Sequence, residues 1–321
     1  MKLGLGLFQF QRKSILSNQI SNRSFYSKII LFGEYSVIQN SKALLIPYSL
    51  FEGRLTFRRD NTSIIDSELK AFSLYLKQLI DSDQLSFQFD LTSFEFDISH
   101  GLYFDSTIPQ GYGVGSSGAL VAAVYDRYQQ DNTSNNDITR LKAIFSQLES
   151  HFHGASSGVD PLISYLNSPI LIKGKNELGP VTIPKFSKGK GGIFLLNTKR
   201  SRKTEPLVNL FLEKTRNESF YNLVEDVLKP ITNHCIDNFL TVDINLLLKN
   251  FKLLSAFQYE HFSPMIPKLY RDIWGEGLSS NDYSLKLCGA GGGGFLMGIT
   301  DDFQKVKGVL SGHELRLLLS F

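Results

Sequence analysis

Two carboxylates stand eleven residues apart in the segment ESHFHGASSGVDPL: Glu149 near the end of an amphipathic run, and Asp160 in a Gly- and Ser-rich turn just before Pro161. Brought together, such a pair can divide labour, one group holding a metal ion and the other orienting or deprotonating a hydroxyl. Taken alone, the pair reads more readily as a solvated helix-end glutamate and a turn-forming aspartate. His151 and His153, two positions apart, lack the spacing of helical metal ligands and read as structural or exposed.

Glycine supplies the second chemical signal. PQGYGVGSSGAL, residues 109–120, places Gly111, Gly113, Gly115 and Gly118 around Ser116 and Ser117, at the mouth of a breaker-free run. A helix N-terminus offers unpaired N–H groups and the positive end of the macrodipole, so a glycine-lined entry there can cradle phosphate. The segment has no Walker lysine and no GxGxxG spacing, and by itself it is equally a helix-entry turn. CGAGGGGFLM, residues 288–297, sets five glycines and one alanine in the six positions from Gly289, more than a plain turn needs and suited to close backbone approach. In KIILFGEY, residues 28–35, Lys28 precedes an apolar run, and Glu34 and Tyr35 follow it; alone, the two charges read as surface groups flanking a buried strand. NTKRSRKT, residues 197–204, reads as a solvated basic loop that matters only if it folds over phosphates.

The bulk composition bounds what these segments belong to. A chain of 321 residues with 42% apolar and 20% charged residues fits a globular protein of two domains. A net charge of +3 is too small to imply a nucleic-acid partner, and no run of about 18 apolar residues implies a membrane span. Cys235 and Cys288 lie far apart, which suits a reducing compartment and supports neither a disulfide framework nor a zinc site. The N-terminal stretch is basic, with no acidic residue before Glu34; a disordered extension is favoured over a targeting peptide.

The elements that must position the chemistry are mixed. KIILF reads as a buried strand, with ALLIPYSL and GRLTFRR as further strands. Leu69, Phe72, Leu76 and Leu79 fall on one face of a helix over 67–81. SFQFDL and SFEFDI alternate and predict a hairpin turning at Thr92–Ser93. A helix is expected from Ser116 or Ser117, and another from about Asn136 to His151, capped by Asn136 or Asp137. KFSKGKGG, residues 185–192, reads as a domain boundary; beyond it come the strand IFLLN, helices between about 205 and 278, and a strand pair around LKLCGAGGGGFLMGI. This order argues for α+β rather than a doubly wound parallel sheet.

Over roughly residues 24–300, these segments and their order resemble the GHMP small-molecule kinases. PQGYGVGSS is similar to that family's phosphate-binding motif, KLCGAGGGGF to its C-terminal glycine motif, and KIILFGEYSVI to its N-terminal strand motif with a lysine. HGASSGVD is similar to a segment carrying the catalytic aspartate, with a metal-binding glutamate eleven positions upstream, and NTKRSRKT to a stretch ending in threonine. The resemblance implies an α+β, two-domain GHMP kinase fold: an N-terminal extension over 1–23, a ribosomal protein S5 domain 2-like domain over 24–190, and a ferredoxin-like domain over 191–321. It implies a cytoplasmic enzyme that uses ATP and Mg²⁺ to phosphorylate the primary hydroxyl of a small-molecule alcohol, with a homodimer as the usual assembly.

Residue by residue, the same resemblance implies that Gly111, Gly113, Gly115, Ser116 and Ser117 wrap the ATP phosphates. Ser117 and Glu149 would ligate Mg²⁺, and Asp160, paired with Lys28, would act on the acceptor hydroxyl. Thr204 would lie near the transferred phosphate, Gly289, Gly291 and Gly292 would support the phosphate loop, and Glu34 and Tyr35 would adjoin the acceptor. Three positions depart from the pattern: Tyr35 stands where histidine is common, and Val114 and Gly118 stand for leucine and alanine. Tyr35 bears on the acceptor more than on the reaction.

Overall fold

The computed structural model describes residues 23–58, 64–130, 137–174, 177–202 and 205–321. Strand β1 (Phe25–Phe32) pairs antiparallel with β2 (Ala43–Phe57), whose fifteen residues join the two separately expected strands into one. Length lets β2 serve several neighbours. Its far end pairs with β3 (Leu102–Ser106), and its near end with β4 (Ile170–Ile172), which is followed in the sheet by β5 (Leu178–Pro180).

Among the described residues, five helices accompany this sheet. Helix α1 (Ser67–Asp81) starts where the Asp66 carboxylate accepts from the Glu68 and Leu69 amides, and it buries Leu69, Phe72, Leu76 and Leu79. The expected hairpin is replaced by α2 (Leu91–Ser99). Asp90 caps α2 by accepting from the Ser93 amide, and Phe94 and Ile98, four apart, are buried while Phe96 faces solvent. The alternation Phe94, Phe96, Ile98 thus masked a helical stripe, and of the first half only Phe89 makes a β-bridge, to Gln129. Helix α3 (Ser116–Tyr128) is buried on all sides from Gly118 to Tyr125, which is why it shows no apolar period. Helix α4 (Ile138–His153) is capped by Asp137, accepting from the Arg140 amide, and buries Leu141, Ile144, Phe145 and Leu148; the alternative cap, Asn136, lies outside the described residues. Helix α5 (Val159–Leu166) follows a left-handed turn at Gly158.

The second sheet has strand order β7–β8–β6–β9, all antiparallel, from β6 (Gly192–Asn197), β7 (Ser284–Leu287), β8 (Phe295–Thr300) and β9 (Leu315–Ser320). Five helices separate β6 from β7: α6 (Glu205–Lys214), α7 (Glu218–Leu223), α8 (Lys229–Leu240), α9 (Ile244–His261) and α10 (Arg271–Ser280). With α11 (Phe303–Val309) between β8 and β9, the connectivity is the β-α-β-β-α-β of ferredoxin-like folds. The two sheets share one apolar core. Phe32, at the end of β1, meets Phe239 of α8 and Phe251 of α9 edge-on, each at 6.1 Å between ring centres. Among the described residues no helix is long and apolar enough to cross a membrane.

Candidate active site

The entry to α3 is where the separate segments meet. Gly111, Gly113 and Gly115 all hold positive φ, and the Val114 carbonyl between them accepts from the Lys28 amide at 2.9 Å. The loop is therefore fastened to the middle of β1, with the Lys28 side chain directly beneath. Lys28 is almost wholly buried, and its ammonium lies 3.1 Å from Asp160, in the first turn of α5. Neither of the flanking charges of KIILFGE is a surface group, because this strand is covered on both faces. Asp160 thus lies at the positive end of α5 as well as beside the ammonium. Gly118 allows this packing: a Cβ there would lie 2.8 Å from the Asp160 carbonyl carbon and the Pro161 nitrogen. The departure from alanine thus lets α3 and the start of α5 come into backbone contact.

On the other side of the same helix entry, the Ser117 hydroxyl lies 3.2 Å from Glu149 Oε1. Glu149 is only 3% exposed, and its second oxygen accepts from the Ser156 hydroxyl. It is not the solvated helix-end group its position suggested, because α3 and the turn after α4 close over it. Burial, aided by the nearby Asp160 charge, pushes its carboxyl from an ordinary 4.5 up to about 7, against the pull of the Ser156 and Ser117 hydrogen bonds and of Lys28. The two carboxylates of ESHFHGASSGVD therefore face one site from α4 and α5. A further contact was unexpected: His153 Nε2 lies 2.9 Å from Ser117 Oγ. Comparing His153 with Glu149, rather than with His151, would have found it, since four residues is one helical turn.

The second glycine segment closes on the first. A Cβ at Gly294 would sit 2.4 Å from the Tyr112 carbonyl oxygen, and the Gly294 amide donates to Arg200. The basic loop runs between the two: the Arg202 amide donates to the Gly111 carbonyl at 2.8 Å, and a Cβ at Gly113 or Gly289 would meet its guanidinium, one at Gly292 its aliphatic stem. It is thus no solvated loop at Arg202, which sequence reasoning missed. Gly289, Gly291 and Gly292 hold positive φ, with Gly291 backed against the Met265 carbonyl. Ser116 opens α3 beside Ser117, and Thr204 lies outside the described residues.

Glu34 and Tyr35 fasten the turn after β1 to the C-terminal sheet. The Glu34 carboxylate pairs with Lys286 of β7, and solvent reaches neither side chain. Burial raises the Glu34 carboxyl above its usual range, with the Lys286 ammonium opposing. Its carboxylate is therefore engaged by the protein itself. Lys286 lies inside the four-residue run SLKL, every residue of which is buried in the structure. Tyr35 holds φ 64°, packs its ring on Phe211 and Phe262 at 4.9 and 5.1 Å, and donates its hydroxyl to the Ala290 carbonyl at 2.5 Å.

A glycine-lined helix entry carrying a hydroxyl, a buried carboxylate and a lysine–aspartate pair has the chemistry to position an anion against a hydroxyl. Residues 75–168 match the GHMP kinases N terminal domain, and the chain has the fold of solved GHMP kinases. The domain match and the curated relatives indicate a small-molecule kinase. The curated relatives that match in sequence over most of the chain are mevalonate kinases. The chain is 26% identical over 288 residues to the mevalonate kinase of Archaeoglobus fulgidus, covering 88% of this chain and 92% of that protein. Its fold is similar to that of L. major mevalonate kinase in complex with R-mevalonate, with TM-score 0.58, 18% identity and 90% of each chain covered. It is also similar to Streptococcus pneumoniae phosphomevalonate kinase in complex with phosphomevalonate and AMPPNP, with TM-score 0.61, 12% identity, and 92% and 99% of the two chains covered.

Proposed function

We propose that this protein transfers the terminal phosphoryl group of ATP to the primary hydroxyl of mevalonate, giving 5-phosphomevalonate and ADP, an early step towards isoprenoids. The observation that carries the reading is the placement of the Lys28–Asp160 pair beside Ser117 and Glu149 at one glycine-lined helix entry. The long likeness to mevalonate kinases supports mevalonate as the acceptor. In this reading residues 24–190 form the nucleotide-binding and catalytic domain, and residues 191–321 the domain that closes over it. The buried free cysteines, Cys235 and Cys288, suit a cytoplasmic enzyme.

Phosphoryl transfer proceeds through a loose transition state, so the protein's task is positioning and neutralisation of charge. Gly111, Gly113, Gly115, Ser116 and the helix entry would hold the triphosphate through backbone amides, and Gly289, Gly291 and Gly292 would support that loop from behind. Asp160 would accept the hydrogen bond of the acceptor hydroxyl and aim its oxygen, while Lys28 pairs with the carboxylate and balances charge nearby. Thr204 would adjoin the transferred group. Tyr35 would shape the acceptor wall, and Glu34 would hold that wall in place through Lys286.

The donor set fits Mg²⁺. A serine hydroxyl and a carboxylate are hard oxygens, and the ion keeps its remaining positions for phosphate and water. Ser117 and Glu149 would hold it, and a carboxylate pushed up first by burial and then by a second carboxylate marks a place where positive charge is stabilising. When bound, the ion supplies charge neutralisation for the phosphates. One observation favours a second acceptor: Tyr35 replaces the common histidine and gives its hydroxyl to Ala290, so another small alcohol, such as phosphomevalonate or a sugar, is the rival. ADP release measured over a panel of these acceptors with ATP and Mg²⁺ separates them. Turnover with mevalonate supports the reading, and turnover with another alcohol but none with mevalonate overturns it.

A further inference from the structure

The Ser117 hydroxyl has one proton and two lone pairs, and two groups contend for them: Glu149 Oε1 at 3.2 Å and His153 Nε2 at 2.9 Å. If Ser117 and Glu149 are to offer lone pairs to the same cation, the serine proton has to point elsewhere. A carboxylate oxygen turned to the cation is a poor acceptor for it, and the second Glu149 oxygen already takes the Ser156 hydroxyl. His153 is the remaining acceptor. Its placement is fixed by the chain. It lies one turn after Glu149 on the same face of α4, and the helix stops at the next residue, where Gly154 takes φ 71° and its amide closes on the Ser150 carbonyl at 2.8 Å. The imidazole is thereby held at the helix end, over the first turn of α3.

Resting on the function proposed above, we propose that His153 is a positioning residue of the cation site: its Nε2 accepts the Ser117 proton and so turns a serine lone pair toward the ion shared with Glu149. The role needs the tautomer with the proton on Nδ1. It assigns His153 no contact with substrate, nucleotide or metal.

The test is a titration of Mg²⁺ at fixed ATP, read as thermal stabilisation of the protein rather than as turnover. Removing a partner that orients a metal ligand weakens metal binding by roughly 10- to 100-fold. His153→Ala is therefore expected to move the Mg²⁺ midpoint upward by about tenfold or more, to leave stabilisation by metal-free ATP unchanged, and to lower kcat without raising the acceptor KM. His153→Gln, whose amide oxygen can accept the same proton, restores the wild-type midpoint. If His153→Ala melts early without ligand, His153→Phe keeps a ring against Phe152, offers no acceptor, and carries the same expectation. A midpoint unchanged in the variant that folds, or one not rescued by glutamine, overturns the proposal. Ser117→Ala separates this failure from that of the underlying reading: if wild type and Ser117→Ala titrate alike, the cation site itself is wrong.

Discussion

Replacing Lys286 with methionine removes the cation of an ion pair that joins the turn after β1 to β7 out of reach of solvent. Methionine fills much of the lysine stem's volume, so the change leaves little cavity but strands the Glu34 carboxyl among apolar groups. Breaking a buried pair from one side typically costs about 3–5 kcal/mol, whereas neutralising both partners is often close to neutral. At about 2.1 cal/mol/K of unfolding entropy per residue, a loss of that size in a chain of this length lowers the melting temperature by roughly 4–7 °C. Without Lys286 the carboxyl is pushed still higher, and the sign of the pH dependence follows. A carboxyl whose folded pKa lies above its unfolded value stabilises below the unfolded value and loses that contribution as pH rises through the folded one. Lys286→Met should therefore cost less at pH 5 than at pH 8. The assay is a double-mutant cycle by thermal or urea unfolding with Lys286→Met, Glu34→Gln and the double variant. The double variant should be within about 1 kcal/mol of wild type. A loss below about 1 kcal/mol for Lys286→Met, or simple additivity in the double variant, would refute the reasoning.

The remaining predictions concern the helix entry. Glu149, raised to about 7, costs the ligand-free fold about 3 kcal/mol at pH 8, a cost that fades as pH falls toward 4.5. Glu149→Gln should thus stabilise the ligand-free protein at pH 8 and little at pH 5 in urea unfolding, while abolishing Mg²⁺-dependent turnover; equal effects at both pH values would contradict the burial argument. Gly118→Ala places a methyl within 2.8 Å of the Asp160 backbone, so overpacking should cost about 1–3 kcal/mol and displace the carboxylate. Unfolding and kcat measured together check it, and both should fall.

The legible parts of the chain were those where one physical signal acted alone. The stripes Leu69–Phe72–Leu76–Leu79 and Leu141–Phe145–Leu148 each had one face to bury, and α1 and α4 follow them. SFEFDI carried two signals at once, and the Asp90 cap, together with the i, i+4 pair Phe94 and Ile98, decided for a helix. The ordered glycine and acidic motifs were readable as a set, and the structure brings them to one helix entry. Burial at the site was not readable: Glu149 is covered by Ser117 and Ser156 from other elements, and Lys28 by the loop at Val114. Tyr35 and Lys286 find their partners 255 and 252 residues away, distances at which no local pattern operates.

ADP release with mevalonate, ATP and Mg²⁺, compared between wild type and Asp160→Asn, tests most directly whether these segments converge for phosphoryl transfer. The account predicts turnover by the wild type and a fall of about 10²-fold or more in kcat for Asp160→Asn, with ATP binding kept. An unchanged rate in the variant, or a wild type silent with mevalonate, would contradict it.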